Sequence, residues 1–320
     1  MSFLPLDSIV SAQLDDAIAC FERRRTAEVH AKKFRHQLQW VHTSTGTRLQ
    51  RLDVQSGACI ADLGLRCPAL ERLHDDQGQR RSCAIAELSA CDTALAQMEL
   101  DNSGTSFARV PDVVIRILDA LWRHELIDHY RVVGTYSLFA YETAAKASLE
   151  PAAIATNDVD LLWDVQSRIR FVQRMSNPPR LMLDVLRTAD PSFKRDESQK
   201  ESAINAAGFS VDFLRRQEPS KHTDAFPISG HDGDVYPVQA GSAQVLLSSP
   251  RFDQVVVGTD GRMALMRTID PVTFVHVKRR LCQSESREFI KRARDRRQAE
   301  VVQALLDARR LRSTLCSQPA

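Results

Sequence analysis

The stretch VVGTYSLFAYETAAKASLEPAAIATNDVDLLWDV, Val132 to Val165, decides how the chain is read. It ends in an apolar run, Val159, Leu161, Leu162 and Trp163, into which two acids are set, Asp158 and Asp160, separated by one valine. In a strand, residues two apart point to the same face, so the two carboxylates stand side by side while Val159 and Leu161 point to the other. Like charges held that close repel. A fold tolerates them at a solvated rim or where a cation sits between them, and two hard oxygen ligands are what a magnesium ion takes from a protein.

Outward from this stretch the pattern alternates. VPDVVIRILDALWRHELIDHY predicts a helix with Pro111 and Asp112 in its first turn, YRVVG a strand, SLFAYETAAKAS a helix and DVDLLWDV the strand with the two acids. That is an α/β rhythm. Helices are expected over PPRLMLDVLRTAD and RDESQKESAINAA, then a third short strand, FSVDFLRR, which sets another acid, Asp212, between Val211 and Phe213. Three acids from two strands can share one face. A polar, Pro/Gly-rich loop follows over 219–237, then strands within VQAGSAQVLLSSPRFDQVVVGTDGRMALMRTID that turn at Asp260-Gly261, and helices from about 271 to 313.

Residues 1–105 read as mainly helical. Ile9, Leu14 and Ile18 recur at helical spacing, FERRRTAEVHAKKFRHQLQW is charged and free of glycine, and CAIAELSACDTALAQMEL is a second good helix. The intervening HTSTGTRLQRLDVQSGACIADLGLRCPAL carries turn residues suited to a short hairpin, and DNSGTS, 101–106, has linker composition. The expected organisation is a helical region over 1–105, a core with additional strands over 106–270, and a basic helical region over 271–320.

With 320 residues, 43% of them apolar and 26% charged, the composition is that of a globular chain with a buried core. No run approaches eighteen apolar residues, and the first residues lack the basic-then-apolar order of a signal peptide, so the expectation is a cytoplasmic protein without membrane contact. Seven cysteines, at 20, 59, 67, 83, 91, 282 and 316, form no CxxC and accompany no paired histidine spacing; they are read as reduced packing residues. The net charge of +2 hides an asymmetry, because 14 Lys/Arg stand against 6 Asp/Glu from Arg262 onward. An anionic partner would sit on that basic tail.

The ordered set of Gly134-Thr135, Asp158-x-Asp160 and Asp212 resembles the nucleotidyltransferase fold of the DNA polymerase β superfamily. The blocks VVGTYSLFAYE, TNDVDLL, GFSVDFL, FVHVKRRL and RDRRQAEVVQALL look like a poorly characterised bacterial subfamily, over about residues 108–306. The resemblance implies an α/β (α+β) fold, a mixed sheet flanked by helices, and metal-dependent transfer of an NMP from an NTP to an acceptor hydroxyl on RNA, a protein or a small molecule. Mg2+ or Mn2+ would serve that transfer, with Asp158 and Asp160 binding the metals and Asp212 completing the second site and helping to deprotonate the acceptor. Gly134 would let the backbone approach the phosphates, with hydroxyls of Thr135 or Ser137 as donors and Lys278 as a contact to a triphosphate oxygen.

Each of these has a bland counterpart: a helix cap at the Gly134 turn, and a solvated helix face for His276 and Lys278. KRARDRRQAE reads as a solvated helix or as an RNA contact through Arg292, Arg294, Arg296 and Arg297, and Asp295 is expected to pair with Lys291 one turn back. No Ser-His-Asp or Cys-His arrangement is present, so a hydrolase is not the second reading. That reading is a non-catalytic nucleotide- or RNA-binding protein, one half of a toxin-antitoxin or defence pair.

Overall fold

The computed structural model describes residues 2–54, 56–164, 181–217 and 225–314. The chain divides into two compact units, residues 13–101 and residues 1–12 with 102–320. Among the described residues no helix is long and apolar enough to cross a membrane.

In the chain's first part, β1 (Phe3–Pro5) precedes α1 (Ser8–Lys32), and the smaller unit holds most of α1, the antiparallel meander β2 (His36–Thr43), β3 (Gly46–Asp53) and β4 (Cys59–Leu65), and the long α2 (Pro68–Asn102). Arg24 of α1 ties the two helices together by donating to Asp92 of α2 at 2.9 Å. The helix expected to run through FERRRTAEVHAKKFRHQLQW stops at Lys32, and its last residues form β2 instead. The reason is tertiary. Leu38 and Trp40 alternate onto the face that holds Leu49, which lies opposite Trp40 and is fully buried, so the segment gains a sheet partner that a helix would lack. The cysteines also depart from expectation: Cys20 is buried, but Cys59, Cys67 and Cys83 are exposed.

The larger unit is an α/β fold, a mixed sheet flanked by helices. Its elements are α3 (Asp112–Arg123), β5 (Tyr130–Val133), a 3-10 turn at Gly134–Tyr136, α4 (Ser137–Ala145), β6 (Ala147–Leu149), α5 (Pro151–Ile154) and β7 (Asp158–Trp163). There follow α6 (Met182–Ala189), β8 (Lys194–Arg195), β9 (Ser202–Ile204), β10 (Ser210–Arg216), β11 (Val238–Ala240) and α7 (Ala243–Ser248). The hairpin β12 (Arg251–Val257) and β13 (Met263–Ile269), then α8 (Pro271–Cys282) and α9 (Phe289–Asp307), complete the unit. The sheet order is β5-β7-β10-β9-β8, with β11 beside the far end of β10; β1 pairs separately with β6.

α3 forms because Pro111 precedes a stripe of Val114, Ile115, Leu118 and Leu121, all buried, at 3.6-residue spacing. The core lies on the face of the sheet where Val159, Leu161 and Trp163 of β7 meet Val211 and Phe213 of β10, all fully or almost fully buried. The β12–β13 hairpin turns at Asp260-Gly261, as its sequence predicts, with Gly261 at φ 85°. It is tied to α4 by the Tyr141 hydroxyl, which donates to the Ile269 carbonyl at 2.8 Å.

The helix expected over RDESQKESAINAA is absent. That segment makes turns and the short strands β8 and β9, because its side chains offer the backbone better local partners than a helix would. Asp196 Oδ1 accepts from both the amide and the hydroxyl of Ser198 at 2.7 Å. Asn205 Oδ1 accepts from the Ala207 and Phe209 amides at 3.1 and 2.8 Å, closing the turn into β10.

Candidate active site

Strand register assembles the site. β7 runs parallel to β10 with Asp158 beside Ser210 and Asp160 beside Asp212, so the three acids share the face opposite the core. One carboxylate oxygen from each of Asp158, Asp160 and Asp212 lies within 4.8 Å of the others. A slip of one residue would turn Asp212 into the core.

Neighbouring hydroxyls orient the carboxylates. Thr156 donates to Asp158 Oδ1, and Ser202 and Ser210 each donate to Asp212 Oδ1 at 2.7 Å. Asp160 is placed by the turn beside it. β5 pairs Val133 with Asp160, and the next residue, Gly134, adopts φ 70°, where a β-carbon would collide with Asp160 Oδ2. The glycine is therefore required twice, once by its dihedral angle and once by the carboxylate that lies against it. Gly134→Ala should cost about 1–2 kcal/mol for the left-handed backbone alone, plus the displacement of Asp160. Thermal melts should show a lowered melting temperature, and a variant as stable as the parent would disprove this account of the turn.

Burial raises the Asp160 carboxyl to about 7, with the charges of Asp158 and Asp212 adding to it; Lys278 and Arg294 act in the opposite direction. Three oxygen donors converging in a place that resists negative charge suit a hard divalent cation, whose charge would reverse that resistance. The donor set thus fits a metal of the magnesium class, held by Asp158, Asp160 and Asp212.

The C-terminal helices close the site. Lys278 of α8 is buried and donates from Nζ to Asp295 of α9 at 2.8 Å, while Arg287 donates to the other oxygen of the same carboxylate. Burial lowers the Lys278 ammonium, and Asp295 and then Asp160 work against that. The expected Asp295–Lys291 pair is not formed: Lys291 reaches Glu288 at 3.3 Å, and Asp295 turns inward because two buried-side cations meet it there. A cavity of about 510 Å³ is lined by Gly134, Asp160, Lys278, Ser284 and Arg287, with His276 also on its wall.

Of the residues singled out in the sequence, Asp158, Asp160, Asp212, Gly134 and Lys278 thus come together. Thr135 lies just behind them, buried, with its hydroxyl accepting from Gln298 Nε2 at 3.1 Å. Ser137 is elsewhere. Its hydroxyl, fully buried, donates to the Val132 carbonyl and accepts from Thr268 at 2.8 Å, so it holds α4 to the hairpin and does not face the carboxylates.

The sequence reading missed the part played by α9. Asp295 and Gln298 sit in the buried stripe that continues through Ala299, Val302 and Leu305, and polar residues in such a stripe are the pattern that would have marked them. The basic run is likewise not one uniform face, since Arg297 pairs with Glu150 at 2.9 Å while Arg294 acts on Asp160.

A family model described as Nucleotidyltransferase matches residues 112–318, which contain all of these residues. Neither a curated protein nor a solved structure matches the chain.

Proposed function

The chain belongs to this nucleotidyltransferase family, and we propose that it transfers an NMP from an NTP to an acceptor hydroxyl with release of pyrophosphate. The observation that carries this reading is the β7–β10 register, which gathers Asp158, Asp160 and Asp212 within 4.8 Å of one another. A decayed site would have no physical reason to keep three repelling carboxylates oriented by hydroxyl donors. Magnesium or manganese, when bound by these acids, supplies charge neutralisation and polarises the phosphate oxygens.

The chain's own groups supply the rest. In the transfer, a bond forms between the acceptor oxygen and the α-phosphorus, the α–β phosphoanhydride bond breaks, and pyrophosphate departs with its electron pair. Asp212, fixed by two hydroxyls on one oxygen, has its other oxygen free of those donors and is the group we assign to receive the acceptor's proton. Lys278 lends positive charge to the cavity wall, where its remaining N–H groups can meet a triphosphate oxygen. Gly134 leaves the approach to Asp160 unobstructed. The acceptor hydroxyl is one on RNA, a protein or a small molecule.

The test uses each of the four α-labelled NTPs with magnesium or manganese, total cellular RNA and a protein lysate. Label should pass to one acceptor class, in a metal-dependent way. If no combination labels any acceptor while the folded protein still binds an NTP, the non-catalytic reading takes its place.

A further inference from the structure

Arg294 occupies a position on α9 that nothing in the transfer scheme above uses. Its neighbour Asp295 reaches Lys278, and Gln298, one turn on, reaches Thr135 behind the Gly134 turn. This face of the helix is therefore turned toward the carboxylates. Arg294 is half-buried, its Nε is shielded from solvent, and that atom has no hydrogen-bond partner among the described residues. Its charge is close enough to Asp160 to favour the ionised carboxylate.

Several of the cations around it are engaged. Lys278 and Arg287 share Asp295, Arg297 holds Glu150, and Lys291 holds Glu288. Arg292 also has an unpartnered Nε, but its guanidinium lies 5.9 Å from the centre of the exposed Phe289 ring, and it is not among the charges that act on Asp160. A shielded guanidinium N–H without an acceptor is costly, and a bound partner can supply the acceptor. Beside three carboxylates and a lysine-lined cavity, that partner must be an anion with several oxygens, one able to meet a planar fork of donors.

We propose that Arg294 binds the phosphate chain of the nucleoside triphosphate, which makes α9 one wall of the substrate site. The proposal rests on the nucleotidyltransferase reading above and adds a binding residue to it. Arginine suits this place better than lysine because its fixed fork can grip two phosphate oxygens at once, while its charge offsets that of the acids. It also explains why an otherwise solvated-looking basic helix turns one of its arginines inward.

Binding of inorganic tripolyphosphate with magnesium, and then of each NTP, is measured by calorimetry for the full chain and for Arg294→Gln, Arg294→Lys and Arg292→Gln. The expected result is at least about a tenfold weaker tripolyphosphate affinity for Arg294→Gln and an intermediate loss for Arg294→Lys, which keeps the charge without the fork. Arg292→Gln should bind as the parent does. The melting temperature of each variant without ligand, measured alongside, separates lost binding from lost folding. Parent-like affinity in a folded Arg294→Gln overturns the proposal and leaves the transferase reading intact. A parent protein that binds neither tripolyphosphate nor any NTP overturns both.

Discussion

Asp160→Asn is expected to abolish nucleotidyl transfer and, in metal-free buffer at pH 8, to raise the melting temperature above that of the parent. The two effects have one cause. Burial, together with Asp158 and Asp212, lifts the Asp160 carboxyl from 3.8 to about 7 in the folded chain. A rise of roughly three pKa units corresponds to a scale of about 4 kcal/mol against the ionised form. The folded state holds this proton more tightly than the unfolded state. The parent's stability is therefore highest, as far as this group is concerned, below the unfolded value, and it falls as pH rises from 3.8 through about 7.

Asparagine cannot ionise, so the variant escapes that loss. The difference in melting temperature should open between about pH 4 and pH 7 and stay open above it. Adding magnesium should stabilise the parent more than the variant, because only the parent retains three charged ligands. Differential scanning calorimetry in chelator, across pH 4 to 8 and again with magnesium, checks each part. A variant less stable than the parent at pH 8 in chelator would make Asp160 a structural acid and would falsify the assignment of the site.

The second large effect is expected at Asp295, whose carboxylate has no solvent exposure and takes two cations. Asp295→Leu would strand the buried Lys278 ammonium, and breaking a buried pair from one side typically costs about 3–5 kcal/mol. For a unit of this size that is a fall of roughly 10 °C in melting temperature. Lys278→Met in the same chain should recover most of the stability, since it removes the stranded charge, while leaving transfer impaired because the cavity has lost a cation. The double-mutant cycle is read by denaturant melts. A single Asp295→Leu variant that loses less than about 1 kcal/mol would show that the pair is solvated.

Residues acting through local geometry were legible in the sequence. Asp158 and Asp160 stand two apart in an apolar strand, which by the period of the strand alone puts them on one face. Gly134 follows directly on a strand and precedes a helix, where a positive φ is common, and it has one, at 70°. The Asp260-Gly261 hairpin turn and the helix after Pro111 rest on equally local preferences. Over 195–207 the reading failed for a reason that was also local but was made by side chains: Asp196 and Asn205 bind nearby amides and prevent the helix that the composition suggests.

Taken by itself, the sequence determined that this chain has an α/β core, that two acids stand on one face of one strand, and that a third lies in a later strand. It did so because strand period, turn conformation and helix amphipathicity are set within a few residues. Only the tertiary structure decided that Asp212 lies beside Asp160, that Asp295 bridges Lys278 and Arg287 and leaves Lys291 aside, and that Gln298 reaches Thr135 behind the Gly134 turn while Ser137 binds away from the carboxylates. Those outcomes depend on parallel register and on helix-to-sheet packing between residues far apart in the chain. There the contact energies are shared among many side chains, and no single local pattern records them.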